Sequence, residues 1–214
     1  MSVAAAIIAG GRAKRMGGAS PGAGPAGSVV AKGLLLVEGR RIIDRQLEVL
    51  RPLFAEVLIV ASDALPWLSL GLRVVPDRVG GGIGPLAGVD AALAALSPGV
   101  DAVVCVAADM PFLAPGVLAL VRDEAPGAMA VAPRIAGRPE PLLARYARDA
   151  APIVGEQIAR GAHAMTELLA RLSARWIEEA ALRALDPELR SILNVNTPED
   201  LARLAPSPAR PGGA

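Results

Sequence analysis

Cysteine and lysine are scarce in this chain, and what they exclude narrows its chemistry. The single cysteine, Cys105, rules out an intrachain disulfide and any zinc or iron–sulfur site built from clustered thiolates, since those need several sulfurs. A reducing compartment follows, and the cytoplasm is the expected location. Neither charge sign is in excess: 22 basic side chains face 21 acidic ones, and charged residues are 20% of the total. That balance, with 53% hydrophobic residues, fits neither a disordered polyampholyte nor a protein that coats nucleic acid. No uncharged apolar stretch approaches the ~20 residues that span a bilayer. The first apolar run, Val3 to Ala9, has neither a preceding basic region nor the length of a signal core. The expected partner is therefore a small molecule, with neither nucleic acid nor membrane involved. Lysine is the last scarcity: the only two are Lys14 and Lys32, and arginine supplies every other basic side chain.

The length, 214 residues, suits one sizeable domain, expected over 1–205, with the proline-rich 206–214 as a disordered tail. There is no internal repeat. Short apolar runs alternate with segments of helical period. Val3–Ala9, Val57–Val60, Arg73–Pro76, Asp101–Ala108, Ala128–Ala132 and Pro141–Tyr146 read as strands. Helical patterns start at Ile42 and cover Leu86–Leu96, Pro115–Glu124 and, as one or two helices, Ile153–Arg175. Strands buried on both faces and separated by helices predict an α/β fold, a mostly parallel sheet with helices on each side. In such a sheet the ligand sits at the carboxyl ends of the strands, so the loops after Ala9, Val60, Val75 and Ala108 carry the information.

The first of these loops reads Ile8-Ala-Gly-Gly-Arg-Ala-Lys-Arg-Met-Gly-Gly18. Glycines directly after a strand let backbone N–H groups approach a phosphate or purine with no Cβ in the way, and the basic side chains add positive charge. A glycine turn with solvated arginines has the same composition. Gly22-Ala-Gly-Pro-Ala-Gly27 has the form GxGxxG, but it is no dinucleotide fingerprint: it neither leaves a strand nor opens a helix, and it contains Pro25. It reads as part of a flexible insertion over 19–31.

Taken in order, the loop Ile8 to Gly18, the pair Lys32-Gly33, Gly84-Pro-Leu-Ala-Gly88, Asp109-x-Pro111 and Asn194-Val-Asn-Thr-Pro-Glu-Asp200 resemble the motif series of the molybdenum cofactor guanylyltransferases. The resemblance implies a Rossmann-like, three-layer α/β/α nucleotidyltransferase fold. It also implies the reaction: GTP and molybdopterin combine to give the guanine dinucleotide form of the cofactor and pyrophosphate, with Mg²⁺ required. Transient contact with other proteins of molybdenum cofactor biosynthesis and with acceptor molybdoenzymes is part of the same implication. By match to the motifs, Ile8, Ala9, Gly10 and Gly11 hold guanine and ribose through backbone groups, Arg15 faces the triphosphate, and Lys32 contacts the phosphates. Asp77 matches a nucleotide-contacting aspartate. Asn194 and Asn196 match positions facing the pterin or its phosphate, although turn formation explains a pair of asparagines as well. The pairing of Ala9-Gly-Gly11 with Gly84 to Gly88 goes with guanine in this family, which favours GTP over CTP.

Physical chemistry supports the charged assignments. Attack of one phosphate on another brings two anions together, so a cation and a metal must neutralise charge developing at the α-phosphate. Lysine suits this as a compact point charge. Asp109 follows the most apolar strand and puts a carboxylate at the mouth of the sheet, where Mg²⁺ takes one or two carboxylates and completes its octahedron with phosphate oxygens and water. Lys32, Arg15 and Asp109 are thus the expected catalytic set, with Asp109 as metal ligand.

Other residues read as structural. Asp101 opens its strand at the opposite edge from the site. Thr197-Pro-Glu-Asp200 is a helix start, with a capping hydroxyl and proline at the first helical position. His163 has no partner in sequence and the reaction needs no histidine base, because the nucleophile is already a phosphate. Cys105 reads as a small buried hydrophobe, and a loop carboxylate paired with Arg78 is the plain alternative for Asp77.

The match departs from the family in two places. Thirteen residues, Ala19 to Ala31, separate Gly18 from Lys32 where the family has a much shorter link that ends in an acid. After the second strand, Asp63 stands near a position that is usually asparagine; it can accept from the guanine N1–H and amino group but cannot donate. Two further readings stay open on residues alone: a relative that transfers CMP or acts on a sugar phosphate, and a non-catalytic carrier of nucleotide or molybdopterin.

Overall fold

The computed structural model describes residues 1–9, 31–78, 83–195 and 200. The chain enters through β1 (Val3–Ile8), whose six residues are all buried. A small antiparallel ribbon, β2 (Leu36–Val37) and β3 (Arg40–Arg41), leads into α1 (Ile42–Leu53). Then come β4 (Val57–Val60), β5 (Arg73–Val75), α2 (Pro85–Ala94) and β6 (Ala102–Ala107). The second part holds α3 (Pro115–Asp123), β7 (Ala130–Ile135), β8 (Arg138–Pro139), β9 (Leu143–Ala147), α4 (Ala151–Ala159), α5 (Met165–Arg171), β10 (Arg175–Glu178) and α6 (Glu179–Arg183).

The main sheet runs β10-β7-β9-β6-β1-β4-β5, with β8 paired to β7. β1 is parallel to both β4 and β6, β5 is parallel to β4, and β10 is parallel to β7. β9 is the exception, antiparallel to β6 and to β7.

Alternation along β1 divides the core. Ala4, Ala6 and Ile8 pack with Leu86 and Val89 of α2, Val154 of α4 and Leu168 of α5. Val3, Ala5 and Ile7 pack with Ile43, Leu47 and Leu50 of α1, Val117 and Leu118 of α3 and Leu182 of α6. Side chains of successive strand residues point to opposite faces, so a strand apolar at every position needs helices on both sides and forms the middle of three layers. Each fully buried isoleucine or valine contributes about 1.5–3 kcal/mol. Cys105 lies wholly inside, and burial pushes its thiol pKa up, as expected of a small core residue.

Two departures from the expected boundaries have a clear local cause. The seventh strand begins at Ala130, because Ala128 N–H closes a turn onto Ala125 O (2.9 Å). The last helical pattern does not reach Arg175. Helix α5 ends when Ser173 turns to φ 47° and Ala174 N–H bonds back to Leu169 O (3.0 Å), and Arg175 opens a strand beside β7. Periodicity also gives no direction for β9. Among the described residues, no helix is long and apolar enough to cross a membrane.

Candidate active site

The carboxyl ends of β1 and β6 lie side by side, since Ile8 pairs with Ala107 and Ala108 N–H donates to Ile8 O (3.1 Å). A cleft of about 360 Å³ opens there, lined by Ile8, Ala9, Lys32, Pro85, Asp109 and Asn194, and by Glu140, Pro141 and Leu142 before β9. At its floor Lys32 Nζ donates to Asp109 Oδ2 at 3.0 Å, joining residues 77 positions apart. Their side chains keep 28% and 15% of their exposure, so the pair is sheltered yet reachable by a ligand.

Each charge is held by its surroundings. Asp109 sits in the turn after β6, where its carbonyl accepts from Val195 N–H (2.8 Å). The buried Gln46 of α1 donates from Nε2 to Ala107 O (2.7 Å) and Met110 O (3.0 Å), clamping the turn on both sides of the carboxylate. Lys32 opens a single 3-10 turn (Lys32–Leu34) in which Leu34 N–H donates to Ala31 O and Leu35 N–H to Lys32 O. The next residue is closely fitted as glycine: a Cβ on Gly33 would stand 3.0 Å from the ring of buried Trp67 and 3.3 Å from Ala108 O, so a larger residue would push on both.

The segment Gly84 to Gly88 has a structural reason for both glycines. Gly84 precedes α2 at φ 76°, ψ −151°, a conformation essentially restricted to glycine, and Pro85 at the first helical position faces the cleft. A Cβ on Gly88 would meet Ile8 Cγ2 at 2.6 Å. Glycine here lets α2 lie directly on the strand whose end forms the cleft.

The other expected site residues fall as follows. Ile8, Ala9, Lys32, Asp109 and Asn194 come together around the cleft. Asp63 does not line it; exposed in the loop after β4, it accepts from Leu65 N–H (3.0 Å) in a local turn. Asp77 follows β5 outside the lining, with burial raising its carboxyl pKa. The alternative pairing of Asp77 with Arg78 does not form, because Arg78 reaches Asp90 instead (3.7 Å). Asp101 accepts from Ser2 N–H (2.7 Å) at the opposite end of the sheet, a structural contact. Gly10, Gly11, Arg15, Asn196, Thr197 to Glu199, the tail 206–214 and all of the insertion except Ala31 lie outside the described residues. Sequence reasoning missed Glu140 and Gln46. Glu140 stands between Pro139 and Pro141 just before an apolar run, which was the one available signal; nothing local marks Gln46, whose partners are more than sixty residues away.

A mostly parallel sheet that gathers a glycine-flanked helix start, an ammonium and a carboxylate at its carboxyl edge is the architecture of the nucleotidyltransferases. Within that class, the chain belongs to the MobA-like NTP transferase family, whose model matches residues 5–176. It is 34% identical over 197 residues to a probable molybdenum cofactor guanylyltransferase from Pelotomaculum thermopropionicum, covering 92% of this chain and 89% of that protein. Its structure is similar to molybdopterin-guanine dinucleotide biosynthesis protein A from Archaeoglobus fulgidus (TM-score 0.75, 30% identity, 94% of this chain and 96% of that one). The fold extends to Rv0371C from Mycobacterium tuberculosis, solved in complex with manganese (TM-score 0.61, 17% identity, 95% and 98% coverage).

Proposed function

We propose that this protein transfers GMP from GTP to molybdopterin, forming the guanine dinucleotide cofactor and releasing pyrophosphate. The observation that carries the reading is the Lys32–Asp109 pair at 3.0 Å on the floor of a cleft at the carboxyl ends of β1 and β6. The names borne by relatives at 30% identity or more over most of the chain supply the two substrates.

In this reaction an oxygen of the molybdopterin phosphate attacks the α-phosphorus of GTP. A new P–O bond forms, the bond from the α-phosphorus to the bridging oxygen breaks, and pyrophosphate leaves with the electron pair. The nucleophile is already an anion, so no general base is required; the barrier lies in bringing anions together and in charge building on the α-phosphate. Lys32 holds an ammonium where that charge develops. Asp109 orients the ammonium and offers a carboxylate to a divalent ion.

The donor set fits Mg²⁺. No cage of three or more ligating side chains exists among the described residues, and this ion takes one or two carboxylates and draws its remaining ligands from phosphates and water. Bound at Asp109, it would add positive charge beside the triphosphate. Ile8 and Ala9, with Gly10 and Gly11 beyond the described residues, form the cradle for guanine and ribose; Gly84 sets the start of α2 beside it. Arg15 faces the triphosphate, Asp63 and Asp77 flank the nucleotide loops, and Asn194 and Asn196 face the pterin. Residues 1–205 act as one catalytic unit in the cytoplasm.

Pyrophosphate release with molybdopterin and Mg²⁺, measured separately with GTP, CTP, ATP and UTP, tests the reading. GTP is expected to be used at least ~10²-fold more efficiently than the others, the discrimination available when a site pairs with a base's polar edge. Release with CTP alone would overturn the choice of guanine.

A further inference from the structure

The cleft holds a second carboxylate that the chemistry above does not use. Glu140 lines the cleft, half-buried, and no described residue hydrogen-bonds its side chain. Its backbone is fixed: Glu140 N–H donates to Pro133 O (3.0 Å), its carbonyl accepts from Leu143 N–H (3.2 Å), and Tyr146 Oη donates to the next carbonyl, Pro141 O (2.8 Å). Tyr146 itself is fully buried. Partial burial raises the Glu140 carboxyl pKa, as for an acid that has lost some water and received no donor in exchange.

Its place in the sheet separates it from the nucleotide. The loops assigned to GTP follow β1, β4 and β5 or precede α2, all on one side of Asp109. Glu140 precedes β9, on the other side of β6. Pro141 and Leu142 beside it give apolar walls, and Asn194 an amide.

A half-buried acceptor of this kind, set beside apolar side chains, suits a planar ring that presents two adjacent N–H donors. The geometry points to Glu140 as the residue that recognises the acceptor substrate, its carboxylate accepting from the N3–H and 2-amino group of the pterin ring while Pro141 and Leu142 pack against its faces. This inference rests on the proposed transfer to molybdopterin and assigns that substrate's subsite. Glu140 touches the ring, not the reacting phosphates, so it sets specificity and leaves the bond-making step to Lys32 and Asp109.

The test compares the full-length protein with Glu140→Gln, which keeps size and shape but replaces one acceptor by a donor. With GTP and Mg²⁺ in excess, the KM for molybdopterin is expected to rise ~10- to 10²-fold, as when a hydrogen-bonded pair with a charged partner is broken. The KM for GTP and the Mg²⁺ dependence stay unchanged. Unchanged KM for molybdopterin, or a shift in the GTP or Mg²⁺ dependence instead, would overturn the assignment. A second measurement needs no variant: inhibition of the wild-type protein by 6-hydroxymethylpterin against its lumazine counterpart, which carries oxygen in place of the 2-amino group. The pterin is expected to inhibit at least ~10-fold better; equal inhibition overturns the assignment even if the variant fails to fold. Wild-type protein that releases no pyrophosphate from GTP and molybdopterin would sink the proposed reaction itself, and is thereby distinguished from a failure of Glu140 alone.

Discussion

The two halves of the main sheet reach the same cleft by opposite routes. In the half β6-β1-β4-β5 all strands are parallel, so every carboxyl end points one way, and the ends of β1 and β6 open onto the cleft. In the half β9-β7-β10 the strand next to β6 runs backwards, and what it brings to the cleft is the segment before its first residue: Glu140, Pro141 and Leu142. Leu143, at the start of β9, pairs with Val106, near the end of β6. One reversed strand therefore supplies a rigid, proline-flanked wall where a parallel strand would have supplied a longer loop.

The chemical midline between these halves gives the largest expected effect. Lys32→Ala or Asp109→Ala should each lower turnover by ~10²-fold or more, the loss seen when a principal electrostatic group is removed. The pair is partly exposed, so stability should change by no more than about 1 kcal/mol, read from thermal melting. Retained turnover would move the chemistry away from the midline; no turnover in the wild-type protein would favour a carrier of nucleotide or molybdopterin over an enzyme.

Gly88→Ala probes the parallel half. The added methyl would sit 2.6 Å from Ile8 Cγ2 and push α2 off β1. Overpacking of this kind costs about 1–3 kcal/mol, against a gain of up to about 1 kcal/mol from helix propensity. A lower denaturant midpoint is expected; an unchanged one would mean that this helix does not rest on the strand end.

Gln46→Leu asks whether the midline turn is held from the helix layer instead of from either half. It removes two hydrogen bonds to Ala107 O and Met110 O, at about 1–2 kcal/mol in total, since it also removes the buried and unpartnered Oε1. Turnover should fall more than GTP affinity, as measured by kcat against KM. Equal loss in both would make the glutamine part of the nucleotide site.

Most of the parallel half was legible because its residues declare themselves. Val3 to Ile8 and Ala102 to Ala107 are continuous apolar runs that a doubly covered strand explains, and Asp109, two residues past the second, stands just beyond a strand end. The other half was harder to read. Apolar periodicity carries no direction, so the reversal of β9 was invisible, and with it the arrival of Glu140. The strand Arg175–Glu178 alternates exposed, half-buried, buried and exposed residues directly after a helical pattern, and it was absorbed into that pattern. Arg78 had a carboxylate next to it in sequence, yet the fold gave it Asp90, a partner on α2.

The fit of Gly33 under Trp67 bears on how the ammonium keeps its place. Among the described residues, the lysine's backbone is set by the turn Lys32–Leu34, which Leu34 N–H closes onto Ala31 O, and by the indole that closes over the glycine. A larger side chain at position 33 would therefore be felt at the ammonium, because the glycine ties the position of Lys32 to a buried ring on the helix layer.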